Sequence, residues 1–177
     1  RAVEASRWLN RIEPERIDRV LLSVADAAER RSDDILAANR EDLARKDPSD
    51  PMYDRLQLTP ERIAGIAADM RNVASLPSPL GLTLDERMRP NGMKIRKVSV
   101  PFGVIGVIYE ARPNVGFDVF SLCLKAGSAC VLKGGSDARD SNAAIAELIR
   151  DVLRENGFDE HCVTMMPPGR EATTALL

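Results

Sequence analysis

The stretch that most constrains this chain runs from Val100 to Asp137: VPFGVIGVIYEARPN, then VGFDVFSLCLKAGSA, then CVLKGGSD. An apolar run carrying Gly103 and Gly106 breaks at Glu110-Ala111-Arg112-Pro113-Asn114. A helix-length apolar segment ends at Gly127, and a second apolar run stops at Lys133-Gly134-Gly135-Ser136. Short apolar runs bounded by turn residues, with a longer segment between them, predict strand, turn, helix, strand, turn. Two strands joined through a helix run parallel. Ligands of open parallel sheets bind outside the carboxyl ends of the strands. The polar residues fall at those ends: Glu110, Arg112 and Asn114 after one strand, Lys133, Ser136 and Asp137 after the next.

The 177 residues suffice for one domain with a core, or a domain plus an arm. A net charge of -2 offers no field for nucleic acid, and no apolar run approaches the ~20 residues of a membrane span. The start, RAVEASRWLN, has neither an initiator Met nor the apolar core of a signal peptide. Cys123, Cys130 and Cys162 form no CxxC pair and accompany one histidine, His161. This argues for buried reduced thiols in a cytoplasmic protein, with no metal site.

Residues 1–81 are expected to be helical. Ile17, Val20, Leu21, Val24 and Ala28 recur at helical spacing after Pro14, and Ser32 is placed to cap a helix through Ile35, Leu36 and Leu43. Thr59-Pro60 opens a helix whose stripe is Ile63, Ile66, Ala67, Met70, Val73 and Ala74. Residues 82–99 change character: two extended runs flank Pro90-Asn91-Gly92, a hairpin signal in which both Asn and Gly tolerate positive φ. The alternation slips at Lys97-Val98, which suggests a bulge. This hairpin is basic (Arg87, Arg89, Lys94, Arg96, Lys97) yet lacks interleaved aromatics, so a subunit-pairing arm is favoured over a nucleic-acid ribbon. Residues 100–177 complete the pattern. A helix begins near Ser141 with Ile145, Leu148, Ile149, Val152 and Leu153 on one face, and Gly157 stops it. Cys162 to Met166 forms a strand, Pro167-Pro168-Gly169-Arg170 a turn, and Glu171 to Leu177 opens another helix. A sheet of three parallel strands leaves an open edge, so a fragment of a longer protein is expected. The fold class is α/β: a Rossmann-like doubly wound parallel sheet with N-terminal helices and a β-hairpin arm.

No GxGxxG fingerprint stands at a strand-to-helix turn. Lys133-Gly134-Gly135-Ser136 is the best ligand candidate. Dinucleotide folds place an acid there for the ribose hydroxyls, whereas here a lysine and a serine come first. Lysine binds phosphate as a point charge and glycines let a ligand approach the backbone, which favours a ribose 2′-phosphate and NADP(H). Asp137 cuts against this, since it suits a 2′-hydroxyl; a plain turn with a solvated lysine is the rival. Arg112 is suited to clamping a phosphate or carboxylate, and Asn114 to donating to a developing oxyanion. Their rivals are a surface arginine and an asparagine helix cap. Nothing near Cys123 in its apolar helix would lower its pKa, and neither it nor Cys130 nor Cys162 is taken as a nucleophile.

Together VPFGVIGVIYEARPNV, SLCLKAGSACVLKGGSDARDSNAAI and LDERMRPNGMKIRKVSVP resemble the gamma-glutamyl phosphate reductase family, also called glutamate-5-semialdehyde dehydrogenases, of the aldehyde dehydrogenase superfamily. The resemblance covers nearly the whole chain. It implies NADPH-dependent reduction of L-glutamyl 5-phosphate to L-glutamate 5-semialdehyde and phosphate in proline biosynthesis. A cysteine thiolate displaces phosphate to give a thioester, which hydride then reduces. It puts Lys133 against the adenosine ribose, with Gly134, Gly135, Ser136 and Asp137 beside it. It puts Arg170 in the turn near the pyrophosphate and Asn114 at the oxyanion position, and it makes the hairpin an oligomerisation arm. The family's catalytic cysteine lies downstream in a separate domain. The expectation is therefore a cofactor-binding portion, inactive alone, in a homo-oligomeric enzyme. The alternatives are a non-catalytic nucleotide-binding module and an acylating aldehyde dehydrogenase relative.

Overall fold

The computed structural model describes residues 1–110 and 112–177, so Ala111 lies outside the described residues. Five helices come first: α1 (Ala2–Leu9), α2 (Pro14–Arg30), α3 (Ser32–Ala44), α4 (Tyr53–Leu56) and α5 (Pro60–Ser75). The hairpin β1 (Thr83–Met88) and β2 (Lys94–Val98) follows. Then β3 (Val104–Ile108), α6 (Val115–Lys125), β4 (Ala129–Lys133), α7 (Arg139–Glu155), β5 (Val163–Met165) and α8 (Arg170–Leu176) alternate.

The sheet has order β3-β4-β5, parallel throughout, with Val104 opposite Ala129 and Cys130 opposite Val163. Ile105, Val107, Cys130 and Leu132 point into the main core. Tyr109, Gly116 of α6 and Ile145 of α7 meet on that side: a Cβ on Gly116 would lie 3.4 Å from Ile145 and 3.6 Å from the Tyr109 hydroxyl. Gly106 faces the opposite way, by the period of two in a strand. There it meets α8, whose Leu176 would lie 3.1 Å from an added Cβ. Helices thus cover both faces, which is the doubly wound arrangement expected.

Both crossover helices stop in the same way. After α6, Gly127 (φ +66) donates to the Leu124 carbonyl at 2.9 Å and Ser128 to that of Cys123 at 2.8 Å. After α7, Gly157 (φ +68) and Phe158 repeat the pattern onto Arg154 and Leu153 at 3.0 and 2.8 Å. A left-handed residue just past the helix lets two orphan carbonyls find donors, so the chain turns sharply into the next strand.

The N-terminal helices wrap this unit through their apolar stripes, and Ile17, Val20, Leu21, Val24 and Ala28 are all buried. Lys125, 5% exposed, fastens the end of α6 to α2 and α5: its ammonium donates to Asp18 and, at 2.9 Å, to the Ala74 carbonyl. The deepest polar link joins α3 to α7. Asp42, fully buried, accepts from the Asp140 and Ser141 amides at 3.0 and 2.7 Å and from the Ser141 hydroxyl at 2.6 Å. Asn39 beside it donates to Ser141 Oγ and the Leu56 carbonyl and accepts from the Leu58 amide. The first amides of α7, which have no partner within their own helix, are satisfied by a residue of another.

Residues 2–9 form a helix within the expected helical part, although no apolar stripe marked it. Three expectations change. Ser32 is the first residue of α3, not its cap; Arg31 holds the cap position with no side-chain bond. α7 starts at Arg139, after a 3-10 turn over Ser136–Ala138, rather than near Ser141, because Asp42 takes up its leading amides. In the hairpin only Gly92 (φ +82) is left-handed, and among the described residues none other than glycine has positive φ. Gly92 closes a three-residue loop by donating to Arg89 at 2.9 Å, which needs one left-handed residue instead of two. The bulge falls where the alternation slips, with Leu84 as the extra residue between the Thr83–Val98 and Asp85–Lys97 pairs.

Asp42→Ala removes the acceptor of two buried amides and a hydroxyl. It is expected to destabilise the chain by about 3 kcal/mol, read from urea unfolding, and a loss below about 1 kcal/mol would contradict the clamp.

Candidate nucleotide groove

Because β4 and β5 are parallel, their last residues, Lys133 and Met165, emerge at one edge of the sheet. The turns that follow, Gly134–Gly135 and Met166–Pro168, border a groove of about 370 Å³ whose floor is one face of α7. Arg139, Asn142, Ala143, Ala146, Glu147 and Arg150 supply that face. They follow helical spacing on the side of α7 away from Ile145, Leu148 and Val152. The small residues Ala143 and Ala146 leave room between α7 and the Pro167-Pro168 turn.

A polar knot fixes the rim. The Tyr109 amide continues the β3–β4 ladder by donating to the Lys133 carbonyl at 3.0 Å, and its hydroxyl pairs with Asn142 Oδ1 at 3.1 Å. Burial pushes the Tyr109 phenol up, so it stays a neutral hydroxyl. A Cβ on Gly134 would run into the Asn142 amide and lie 3.2 Å from the Tyr109 ring. Gly134 is therefore required by its own side-chain neighbours before any ligand is considered.

Lys133 is 6% exposed. Its ammonium donates to the Gly134 carbonyl at 2.7 Å and, among the described residues, meets no carboxylate. The side chain is not a solvated surface lysine. A buried cation without a counter-charge is costly and is relieved by an anion.

The remaining candidates divide. Gly134 and Gly135 border the groove, while Ser136 and Asp137 are exposed on the other side of the turn, lining a separate hollow with Asp42, Arg45 and Lys46. Arg170 is exposed at the first position of α8, after Gly169 (φ +116), and does not border the groove. Arg112 and Asn114 line a second groove of about 400 Å³ against α4 and α5, with Asp54, Arg62 and Asp69. Asn114 holds the cap position of α6 without a side-chain cap bond; its side-chain amide donates instead to Asp118 Oδ2 at 3.0 Å, and burial raises the Asp118 carboxyl above its ordinary range. Sequence reasoning missed Arg139, Asn142 and Arg150. The available signal was the second face of α7, where small and polar residues recur at the helical period.

The cysteines are buried in the core. Contact with Cys123 and burial push the Cys130 thiol well up, and burial pushes Cys162 up to about 12. The hydrogen bond from Cys130 moves Cys123 down. Among the described residues no group of His, Cys, Asp or Glu is placed to hold a metal ion, and no helix is long and apolar enough to cross a membrane.

No protein-family model matches the chain. The gamma-glutamyl phosphate reductase of Bacteroides fragilis is 60% identical over 173 residues, which are 98% of this chain and 42% of that protein. The crystal structure of the gamma-glutamyl phosphate reductase of Thermotoga maritima superposes with a TM-score of 0.94 at 33% identity, over 99% of this chain and 43% of that one. PnpE in complex with nicotinamide adenine dinucleotide shares the fold alone, with a TM-score of 0.75 at 21% identity over 99% of this chain and 34% of that one. The chain thus has the fold of the aldehyde dehydrogenase type and spans about two fifths of the length of the curated relatives it matches.

If the thiols are core groups, iodoacetamide at about pH 8 should leave Cys130 and Cys162 unmodified in the folded chain and alkylate both in urea, since the protonated thiol is unreactive. Peptide mass spectrometry reads the outcome, and rapid modification of either in the native chain would contradict it.

Proposed function

We propose that this chain, a homologue of the gamma-glutamyl phosphate reductases along nearly all of its length, is the NADP(H)-binding portion of such an enzyme. The observation that carries the reading is the groove at the carboxyl ends of β4 and β5, together with the uncompensated Lys133 ammonium, which bonds the carbonyl of the groove-lining Gly134. A groove of about 370 Å³ lies in the range of small-molecule clefts, and its position is where open parallel sheets bind nucleotides.

In this reading Lys133 meets the adenosine ribose and its 2′-phosphate. Gly134 and Gly135 border the nucleotide with bare backbone, and Arg170 stands toward the pyrophosphate. The bound nucleotide supplies hydride. Asn114 swings from Asp118 to donate to the oxygen of the reacting carbonyl, and Arg112 attracts the acyl phosphate. The reacting thiol comes from outside these 177 residues, since Cys123, Cys130 and Cys162 serve the core. The substrate is L-glutamyl 5-phosphate, the products L-glutamate 5-semialdehyde and phosphate, and the setting cytoplasmic proline biosynthesis. The hairpin serves as the arm between subunits. Both its strands are exposed throughout, and Leu84, Met88 and Ile95 stay uncovered within the chain.

Fluorescence titration with NADPH tests the groove. The chain is expected to bind, and Lys133→Ala to weaken binding about tenfold or more, as the loss of a buried charge-assisted contact demands. Unchanged affinity would remove Lys133 from the site. In the complete enzyme, NADPH oxidation should require glutamyl phosphate, and equal turnover with acyl-CoA would transfer the assignment to an acylating relative.

A further inference from the structure

Asp137 poses a problem for the cofactor reading above, on which this inference rests. A carboxylate just past Lys133 suits a ribose 2′-hydroxyl and repels a 2′-phosphate. The fold resolves it from a distant part of the chain. Lys46, just beyond α3, sets its ammonium 2.8 Å from Asp137 Oδ2 and 3.0 Å from Asp50 Oδ2. Hydrogen bonds to these two acids, Asp137 first, hold that ammonium above the ordinary lysine range. Its neighbour Arg45 pairs with Asp140 Oδ2 at 2.7 Å and bonds the buried Asp42. The acids following the Gly134–Gly135 turn are thus drawn toward α3, across a hollow of about 210 Å³. On the opposite side of that turn, Gly135 and Arg139 face the nucleotide groove.

We propose that Lys46 is a specificity-determining residue: it holds and neutralises the Asp137 carboxylate, and so lets the turn after β4 accept a nucleotide bearing a ribose 2′-phosphate. Lys46 acts through Asp137 and is a positioning residue, not a ligand of the nucleotide. Without it the carboxylate is free to turn toward the ribose, where it accepts from a 2′-hydroxyl and opposes a phosphate.

The test is the ratio of dissociation constants for NADH and NADPH, measured by fluorescence titration on the 177-residue chain. Both nucleotides meet the same folded fraction, so a loss of folded protein cancels from the ratio. Lys46→Met is expected to lower the preference for NADPH about tenfold, and Lys46→Met with Asp137→Asn to return it to within about twofold of the starting value. An unchanged ratio in Lys46→Met overturns the inference while the groove stands. A lowered ratio that Asp137→Asn does not restore also overturns it, because Lys46 would then act by another route. Failure of the unaltered chain to bind either nucleotide overturns the groove itself, and the inference with it.

Discussion

The buried carboxylate of Asp42 is the interaction on which the rest of the architecture leans. Taking an acidic side chain fully out of water is unfavourable unless its lone pairs are filled. Here they are filled by the opening amides of α7, the Ser141 hydroxyl and Arg45. The bond network runs both ways. It satisfies donors that a helix start cannot satisfy alone, and it ties the N-terminal helices to the edge of the sheet where the groove over α7 opens. Since α7 begins where Asp42 holds it, the short turn from Lys133 to Ala138 has little freedom left. Tyr109 and Asn142 remove more by closing on Gly134.

This explains what was legible in the chain. The stripes on α2, α5 and α7 were legible because burial of one helical face writes a period into the sequence, as Ile63, Ile66, Ala67 and Met70 show. The strands were legible from their turn residues, and Gly127 and Gly157 from their places just past apolar helices. The helix over residues 2–9 fell within the expected helical part but showed no stripe of its own. Ala5, Ser6 and Leu9 are its buried residues, and a set that small carries no pattern without the sheet it docks on. The role of Asn39 and Asp42 was not legible. On α3 they look like members of a solvated face, and their partner Ser141 lies roughly a hundred residues away, at separations of 102 and 99.

The site divides along the same line. Gly134 and Gly135 were visible as a break after an apolar run, and the loop following β5 as Pro167-Pro168. The floor between them was hidden because it lies on a helix whose dominant signal is its apolar side. Ser136 and Asp137 adjoin Gly135 in sequence yet face a different hollow, because the backbone passes there from the extended Gly135 into the 3-10 turn over Ser136–Ala138. Adjacency in sequence therefore overstates which of these residues share a surface.

The Arg16 guanidinium lies over the rings of Trp8 and Phe158, 5.9 and 5.1 Å from their centres, and also bonds the Asn156 and Gly157 carbonyls at the end of α7. The two rings meet edge to face at 5.1 Å. Trp8 is the chain's sole tryptophan. Its emission is consequently a built-in gauge of one event, the seating of the first helix against the far end of the crossover. An optical signal from these 177 residues reports that seam separately from the groove at the carboxyl edge of the sheet, which has no indole.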